Sequence, residues 1–347
     1  MNMDFERYAR QLVMQQIGIE GQEKLARAKV AVAGIGGLGS FVAMQLAGMG
    51  VGNINLIDRD IVTKTDLHRQ YLYTEEDMGK LKVIAAKKRL QELNSDIKIE
   101  VSDSVIDEDS AESICKDSDV VIDCLDSAWA KYSLNRACIR MKKPLVFASA
   151  VSNYAVISSI IPERTACLKC IYPNLDDGNA LTCAVAGVHP SILGIAASIE
   201  VSEAVRLLLG KEPNLASKLM FIDLESLSFD MLVIKRNEKC SECSADTVKK
   251  DRLKAPFVEK SCSRDGKGTY FLNPENKIQL KMEYEDYRRT GLHKAYEDDE
   301  ITIFIKGDSS AIALVRGKVF DVDIFEKNLS EKYKDIVKAF SSQSASL

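Results

Sequence analysis

The sequence predicts an α/β fold: a mainly parallel sheet wound on both faces by helices, with a small α+β domain behind it. Three observations lead there. Short runs of Val, Ile, Leu and Ala alternate with segments of helical spacing, the rhythm of βαβ units. The first run ends in a cluster of glycines that opens onto a helix of small residues. After Ser244 the texture becomes charged and linker-like before ordered composition resumes.

Residues 4–28 space Leu12, Gln16, Ile19 and Leu25 as a helix would. Lys29–Gly34 reads as a buried strand, Ser40–Met49 as a helix pressed on a sheet, and Asn53–Asp58 as a second strand ending in an acid. Leu81–Leu93 places Val83, Ala86, Leu90 and Leu93 on one helical face. Strands follow at Ile97–Val101, Asp119–Cys124 and Pro144–Ala148, with a helix at Ala130–Arg140. Residues 171–190 are rich in turn formers and read as a loop. A helix at Ser191–Leu209 and strands at Lys218–Asp223 and Asp230–Lys235 complete the first domain, residues 1–245. A linker spans 246–255. The α+β domain occupies 256–342, with strands at Lys277–Tyr284, Glu300–Lys306 and Ala311–Val322 and a helix at Ser330–Phe340.

Of the 347 residues, 46% are hydrophobic and 28% charged, a balance that supports a large core and excludes a mainly disordered chain. The net charge of −4 lacks the basic excess that gripping nucleic acid requires, so no nucleic-acid partner is expected. No apolar run reaches membrane-spanning length and no leader pattern opens the chain, so no membrane partner and a cytoplasmic setting are expected.

The glycine cluster Gly34-Ile35-Gly36-Gly37-Leu38-Gly39 fits G-x-G-x-x-G between a strand and a helix, the phosphate-cradling turn of a Rossmann-like unit. Gly34, Gly36, Gly37 and Gly39 let backbone N–H groups approach an anion. Asp58, closing the next strand, can accept from ribose hydroxyls. These features indicate an adenine nucleotide without separating NAD from ATP. The segment Asp58-Arg59-Asp60, Asp66-Leu67-His68-Arg69-Gln70 and Gly79-Lys80-Leu81-Lys82 favours a polyphosphate, which an arginine can clamp and a lysine neutralise.

Nine cysteines, an odd number, argue against a disulfide framework. Cys167-x-x-Cys170 and Cys240-x-x-Cys243 supply four soft ligands, and a filled S4 set predicts a structural zinc. Cys115, Cys124 and Cys138 fall in strand or helix patterns and are expected in the core. Cys183 lies within the 171–190 segment, past its polar stretch, and reads either as a nucleophile or as a small buried thiol.

Taken in order, Arg7-Tyr8-x-Arg10-Gln11, the glycine turn, Asp58, Arg69-Gln70, Lys82, Asp123-Cys124-x-Asp126, Cys167-x-x-Cys170, Ala180-Leu181-Thr182-Cys183 and Cys240-x-x-Cys243 resemble the E1-like adenylyltransferases of the MoeB/ThiF family over residues 5–244. The resemblance implies ATP-dependent adenylation of the C-terminal Gly-Gly carboxylate of a ubiquitin-like or sulfur-carrier protein, with release of pyrophosphate and onward transfer to Cys183 as a further step. It implies that Asp58 and Asp60 lie at the nucleotide, that Arg69 and Lys82 hold phosphates with Gln70 alongside, and that Asp126 holds Mg2+. It implies that Arg10 reaches the partner subunit's nucleotide site, and hence a homodimer. Two positions depart from the family, which has Asn where this chain has Asp66 and Ser127. Asp66 is then read as a second metal contact. The alternatives are a peptide-modifying adenylyltransferase of the same fold, an NAD-dependent oxidoreductase resting on the glycine turn alone, and a non-catalytic binding module.

Overall fold

The computed structural model describes residues 6–175 and 186–244, and, beyond these, five strands between 258 and 316 and Glu331. A short helix α1 (Ala9–Leu12) and α2 (Gly18–Arg27) lead into an eight-stranded sheet. Its strands and helices follow in sequence: β1 (Lys29–Ala33), α3 (Gly37–Gly48), β2 (Asn53–Ile57), α4 (Lys82–Leu93), β3 (Lys98–Ser102), α5 (Glu108–Lys116), β4 (Val120–Asp123), α6 (Ala128–Arg140), β5 (Leu145–Val151), β6 (Tyr154–Ile160), α7 (Leu168–Ile171), α8 (Pro190–Leu208), β7 (Lys218–Asp223) and β8 (Ser228–Val233). The spatial order is β3-β2-β1-β4-β5-β6-β7-β8. The first five strands are parallel and the last three run antiparallel to their neighbours.

Burial explains the strand compositions. Val30, Ala31, Val32 and Ala33 are all buried, because helices cover both faces of β1 and leave no side for a polar residue. The edge strand β8 differs: Phe229, Met231, Leu232 and Val233 are exposed. Helix α3 is buried along most of its length and packs against α8, where Gly37 faces Leu193.

Helix α5 and strand β6 are among the elements that had no counterpart in the sequence reading. Helix α5 is started by Asp107, whose Oδ1 accepts from the Ser110 N–H at 2.8 Å while Ser110 Oγ accepts from the Asp107 N–H at 2.9 Å. That reciprocal Asp-x-x-Ser box was the available signal. Strand β6 pairs antiparallel with β5 across a tight turn at Ser152, whose φ is 54°. Its Ser158 and Ser159 interrupt the apolar pattern, yet both are buried, their hydroxyls donating to Lys218 O at 2.6 Å and Glu203 Oε2 at 2.9 Å.

A second compact unit begins at Lys254. Its described strands β9 (Val258–Ser261), β10 (Lys267–Leu272), β11 (His293–Glu297), β12 (Ile301–Ile305) and β13 (Ala311–Arg316) form an antiparallel sheet in the order β11-β12-β13-β10-β9. The edge strand β11 carries an irregularity between Lys294 and Tyr296, a common way to blunt an edge. The strand expected at Lys277–Tyr284 and, apart from Glu331, the helix expected at Ser330–Phe340 lie outside the described residues. Among the described residues no helix is long and apolar enough to cross a membrane.

The register places the candidate site. Ala33 stands opposite both Ile57 and Asp123, so β1, β2 and β4 end level with one another. Their loops emerge together where the strand order reverses between β1 and β4, the crevice in which doubly wound sheets take ligands.

Candidate functional site

The glycine turn is fixed by backbone contact. Gly34 has φ 86°, and a Cβ there would lie 2.8 Å from Cys124 O. A Cβ on Gly39 would lie 1.8 Å from Gly34 O, which only glycine permits. Gly39→Ala is therefore expected to displace the turn and cost about 2–3 kcal/mol or more, as overpacking does. A melting temperature within 2 °C of wild type (roughly 1 kcal/mol or less for a domain this size) would refute that close approach.

Asp58 ties this turn to the end of β2. Its Oδ2 accepts from the Ile35 N–H at 2.7 Å and its Oδ1 from the Asp60 N–H at 2.8 Å. A carboxylate has about four acceptor sites, so two N–H bonds leave capacity for hydroxyls. Tyr73, unremarked in the sequence, donates its hydroxyl to Ile35 O at 2.7 Å from the opposite side.

The loop after β2 makes a short 3-10 turn, Lys64–Asp66, capped by Thr63 and Asp66. Asp66 is buried, and protein donors surround it. Its Oδ2 accepts from the Thr63 N–H and hydroxyl, both at 2.9 Å, and its Oδ1 from Gln70 Nε2 at 2.8 Å and Arg69 NH2 at 3.2 Å. Arg69 NH1 also donates to Thr65 O. Where the sequence suggested a metal contact, both Asp66 oxygens are engaged by the 3-10 turn and by Arg69 and Gln70. Burial alone would raise the Asp66 pKa, but the Lys82 charge and the Thr63 bonds outweigh it and hold the carboxyl below its ordinary range.

Lys82 opens α4 and is buried. Its Nζ lies 2.7 Å from Asp60 Oδ2 and 3.7 Å from Asp66 Oδ2, and its N–H donates to Asp60 O at 2.9 Å. Burial opposes the charge, but Asp60 and Asp66 outweigh it, so the ammonium is held well above the ordinary lysine value. Gln70 Oε1 is buried with no hydrogen-bond partner in the structure.

Asp126 is exposed on the loop that follows β4, the loop that abuts Gly34. Asp123 anchors that loop. Its Oδ1 accepts from the Leu125 N–H at 3.0 Å and from Lys131 Nζ at 3.2 Å, and Lys131 also donates to Ala148 O at 2.9 Å. Lys131 escaped the sequence reading because a lysine on a helix reads as solvated. Ser127, one of the two departures, is the N-cap of α6. The strand ends thus gather the glycine turn, Asp58, Asp60, Arg69, Gln70 and Lys82, with the Asp126 loop beside them. Arg10 is exposed on α1, and Cys183 lies outside the described residues.

The four predicted metal ligands also converge. The sulfurs of Cys167, Cys170, Cys240 and Cys243 all lie within 4.8 Å of one another. Cys167 is 3.8 Å from Cys170 and 3.7 Å from Cys240, and Cys170 is 3.5 Å from Cys243. A tetrahedron with Zn–S of about 2.3 Å has edges of about 3.8 Å, so the spacing fits zinc. The thiols share their protons unevenly: hydrogen bonds from Cys167 and Arg236 hold Cys243 down, while the bond to Cys243 pushes Cys167 up and burial pushes Cys170 up. Supporting contacts reach the cluster from α6. Asn135 Oδ1 accepts from the Leu168 N–H at 3.0 Å. Arg136 pairs with Glu108 at 2.7 Å and with Glu242, between the second pair of cysteines, at 2.8 Å. Cys115, Cys124 and Cys138 are buried.

Comparison with known proteins agrees with this architecture. The chain is 35% identical over 285 residues to the adenylyltransferase and sulfurtransferase MOCS3 of Culex quinquefasciatus, covering 81% of this chain and 65% of that protein. It therefore spans somewhat less than two thirds of that relative. It is 35% identical over 257 residues to the sulfur carrier protein adenylyltransferase of Thermus thermophilus, covering 72% of this chain and 94% of the relative. Among solved structures, E. coli MccB with ATP superposes with a TM-score of 0.61 at 27% identity, covering 69% of this chain and 74% of that one. The same enzyme of microcin C7 biosynthesis has also been solved with N-formylated MccA. The profile of the ThiF family matches residues 8–243, and the chain belongs to that family.

Proposed function

We propose that the chain adenylates the C-terminal carboxylate of a ubiquitin-like or sulfur-carrier protein ending in Gly-Gly, with ATP as the nucleotide. One observation carries the reading: Asp58, Arg69 and Lys82, all on the segment that leaves β2 and leads into α4, gather beside a glycine turn at the level ends of β1, β2 and β4. A hydride-transfer site has no use for two cations there, whereas a triphosphate does.

In this reading Asp58 takes the ribose hydroxyls and the glycine turn brings N–H groups against the phosphates. Arg69 and Lys82 neutralise the phosphate oxygens. The carrier carboxylate attacks the α-phosphorus, the bond to the bridging oxygen breaks, and pyrophosphate leaves with its electron pair. The chain's contribution is orientation and charge stabilisation, since the attacking carboxylate is already ionised. Asp126, an exposed carboxylate beside the turn, suits Mg2+, which would screen the phosphates. The four thiolates suit a structural Zn2+. Free thiols of this kind fit a reducing compartment, and we place the protein in the cytoplasm on that ground. We assign Arg10 to a partner subunit's site in a homodimer; light scattering that reports a monomer at working concentration would exclude that.

Exchange of labelled pyrophosphate into ATP is the test. It is expected to require Mg2+ and the carrier, and to vanish when the carrier's last glycine is removed. Exchange that ignores the carrier, or its absence with every Gly-Gly carrier tried, would overturn the assignment. The likeness to MccB favours a second reading, in which a short peptide carboxylate replaces the carrier protein. Exchange driven by the peptide and not by the protein would select it.

A further inference from the structure

We propose that Asp66 is a positioning residue that competes with phosphate for Arg69, so that position 66 sets the affinity for the triphosphate without touching nucleotide or metal. The inference rests on the nucleotide reading above and goes one step beyond it.

The geometry is specific. Asp66 Oδ2 is committed to the 3-10 turn through the Thr63 N–H and hydroxyl, and Oδ1 is shared by Gln70 Nε2 and Arg69 NH2. Lys82 Nζ, 3.7 Å from Oδ2, feels the same charge. The groups assigned to the phosphates are thus already charge-compensated by Asp60 and Asp66. A phosphate approaching Arg69 meets a buried like charge and must draw the guanidinium away from it. An asparagine would behave differently. Its Oδ1 would keep the Thr63 cap. Its Nδ2 would face Gln70, which can rotate to present Oε1, the buried acceptor that has no partner in this structure. What is lost is the ion pair to Arg69 and the longer one to Lys82, which keeps Asp60 at 2.7 Å. Asp66→Asn therefore keeps the local hydrogen bonds, frees the guanidinium and removes one negative charge from the phosphate environment.

The experiment is calorimetric titration of the wild-type chain and D66N with Mg-ATP, with ATP in EDTA, and with adenosine. D66N is expected to bind both forms of ATP at least about fivefold more tightly, as removing a like charge from a partly screened site implies. The gain should shrink in 0.5 M KCl and be absent for adenosine. A merely structural role cannot tighten binding. Unchanged or weaker affinity for ATP in D66N would overturn the inference. So would a loss confined to Mg-ATP, because it would make Asp66 a metal ligand. Wild type that binds no adenine nucleotide would overturn the nucleotide reading itself, whereas wild type that binds ATP as D66N does sinks this inference alone. Asp66→Ala serves as the folding control: it removes the cap and is expected to lower the melting temperature, which D66N should not.

Discussion

Lys82→Met is expected to slow carrier-dependent pyrophosphate exchange by roughly 10^3-fold, the scale on which removing one preorganised transition-state charge operates. It is also expected to destabilise the first unit. The ammonium is buried, 2.7 Å from Asp60 and 3.7 Å from Asp66, so its loss strands Asp60 in a low-dielectric setting and leaves Asp66 to Arg69 alone as counter-charge. Breaking a buried pair from one side costs about 3–5 kcal/mol, which for a unit of this size lowers the melting temperature by roughly 6–20 °C. Methionine retains the aliphatic stem, so the effect isolates the charge. The two losses separate in the double variant with Asp60→Asn. Neutralising the stranded acid should recover much of the stability and none of the exchange. If the double variant regained activity along with stability, Lys82 would be a structural cation and the phosphate role would fall.

Lys82 also shows what the sequence could and could not reveal. Its position at the start of a helix, shortly after the acid that closes the second strand, was readable, and so was the glycine turn. The alternation of apolar runs with helical segments gave the parallel half of the sheet because β1 and β4, buried on both faces, are apolar without interruption. The antiparallel half was harder to read. In β6 two buried serines satisfy their hydroxyls on β7 and α8, and no sequence pattern announces a hydrogen bond made across the fold. The same limit applies within the site. Asp66 read as a metal ligand because an acid near phosphates attracts that reading, yet its partners are local donors set by a 3-10 turn. Asp123 and Lys131 together anchor the Asp126 loop. They form a buried pair whose members come from a strand and from the helix after it, so that each alone looks ordinary. The four cysteines were legible because short spacing constrains each pair, although nothing in the spacing shows that the two pairs meet.

That meeting should dominate the stability of the first unit. Cys240→Ser is expected to abolish stoichiometric zinc, measured by elemental analysis of the purified chain, and to lower the melting temperature by about 10 °C or more. The size follows from what the cluster joins. Cys167 is the N-cap of α7 and Cys170 lies within it, whereas Cys240 and Cys243 lie past β8, so the metal closes a long loop. Closing one of this length is worth roughly 4 kcal/mol in a chain-entropy account, and each kcal/mol moves the melting temperature of a unit this size by about 2–4 °C. Losing the metal also leaves buried thiols without a partner ion, with Glu242 held on Arg136 beside them. The pH dependence has a definite sign. Metal binding needs thiolates, so acidification protonates the ligands and weakens it, and the zinc-linked increment should shrink steadily as the pH is lowered. Since the cluster is not assigned to the phosphates, ATP affinity measured below the lowered melting temperature should stay within about threefold of wild type, less than the tenfold that 1.4 kcal/mol of direct contact would give. Wild-type protein that carries no zinc, or a serine variant that melts with it, would remove the metal from the fold; a collapse of ATP affinity in folded Cys240→Ser would move the cluster from scaffold to site.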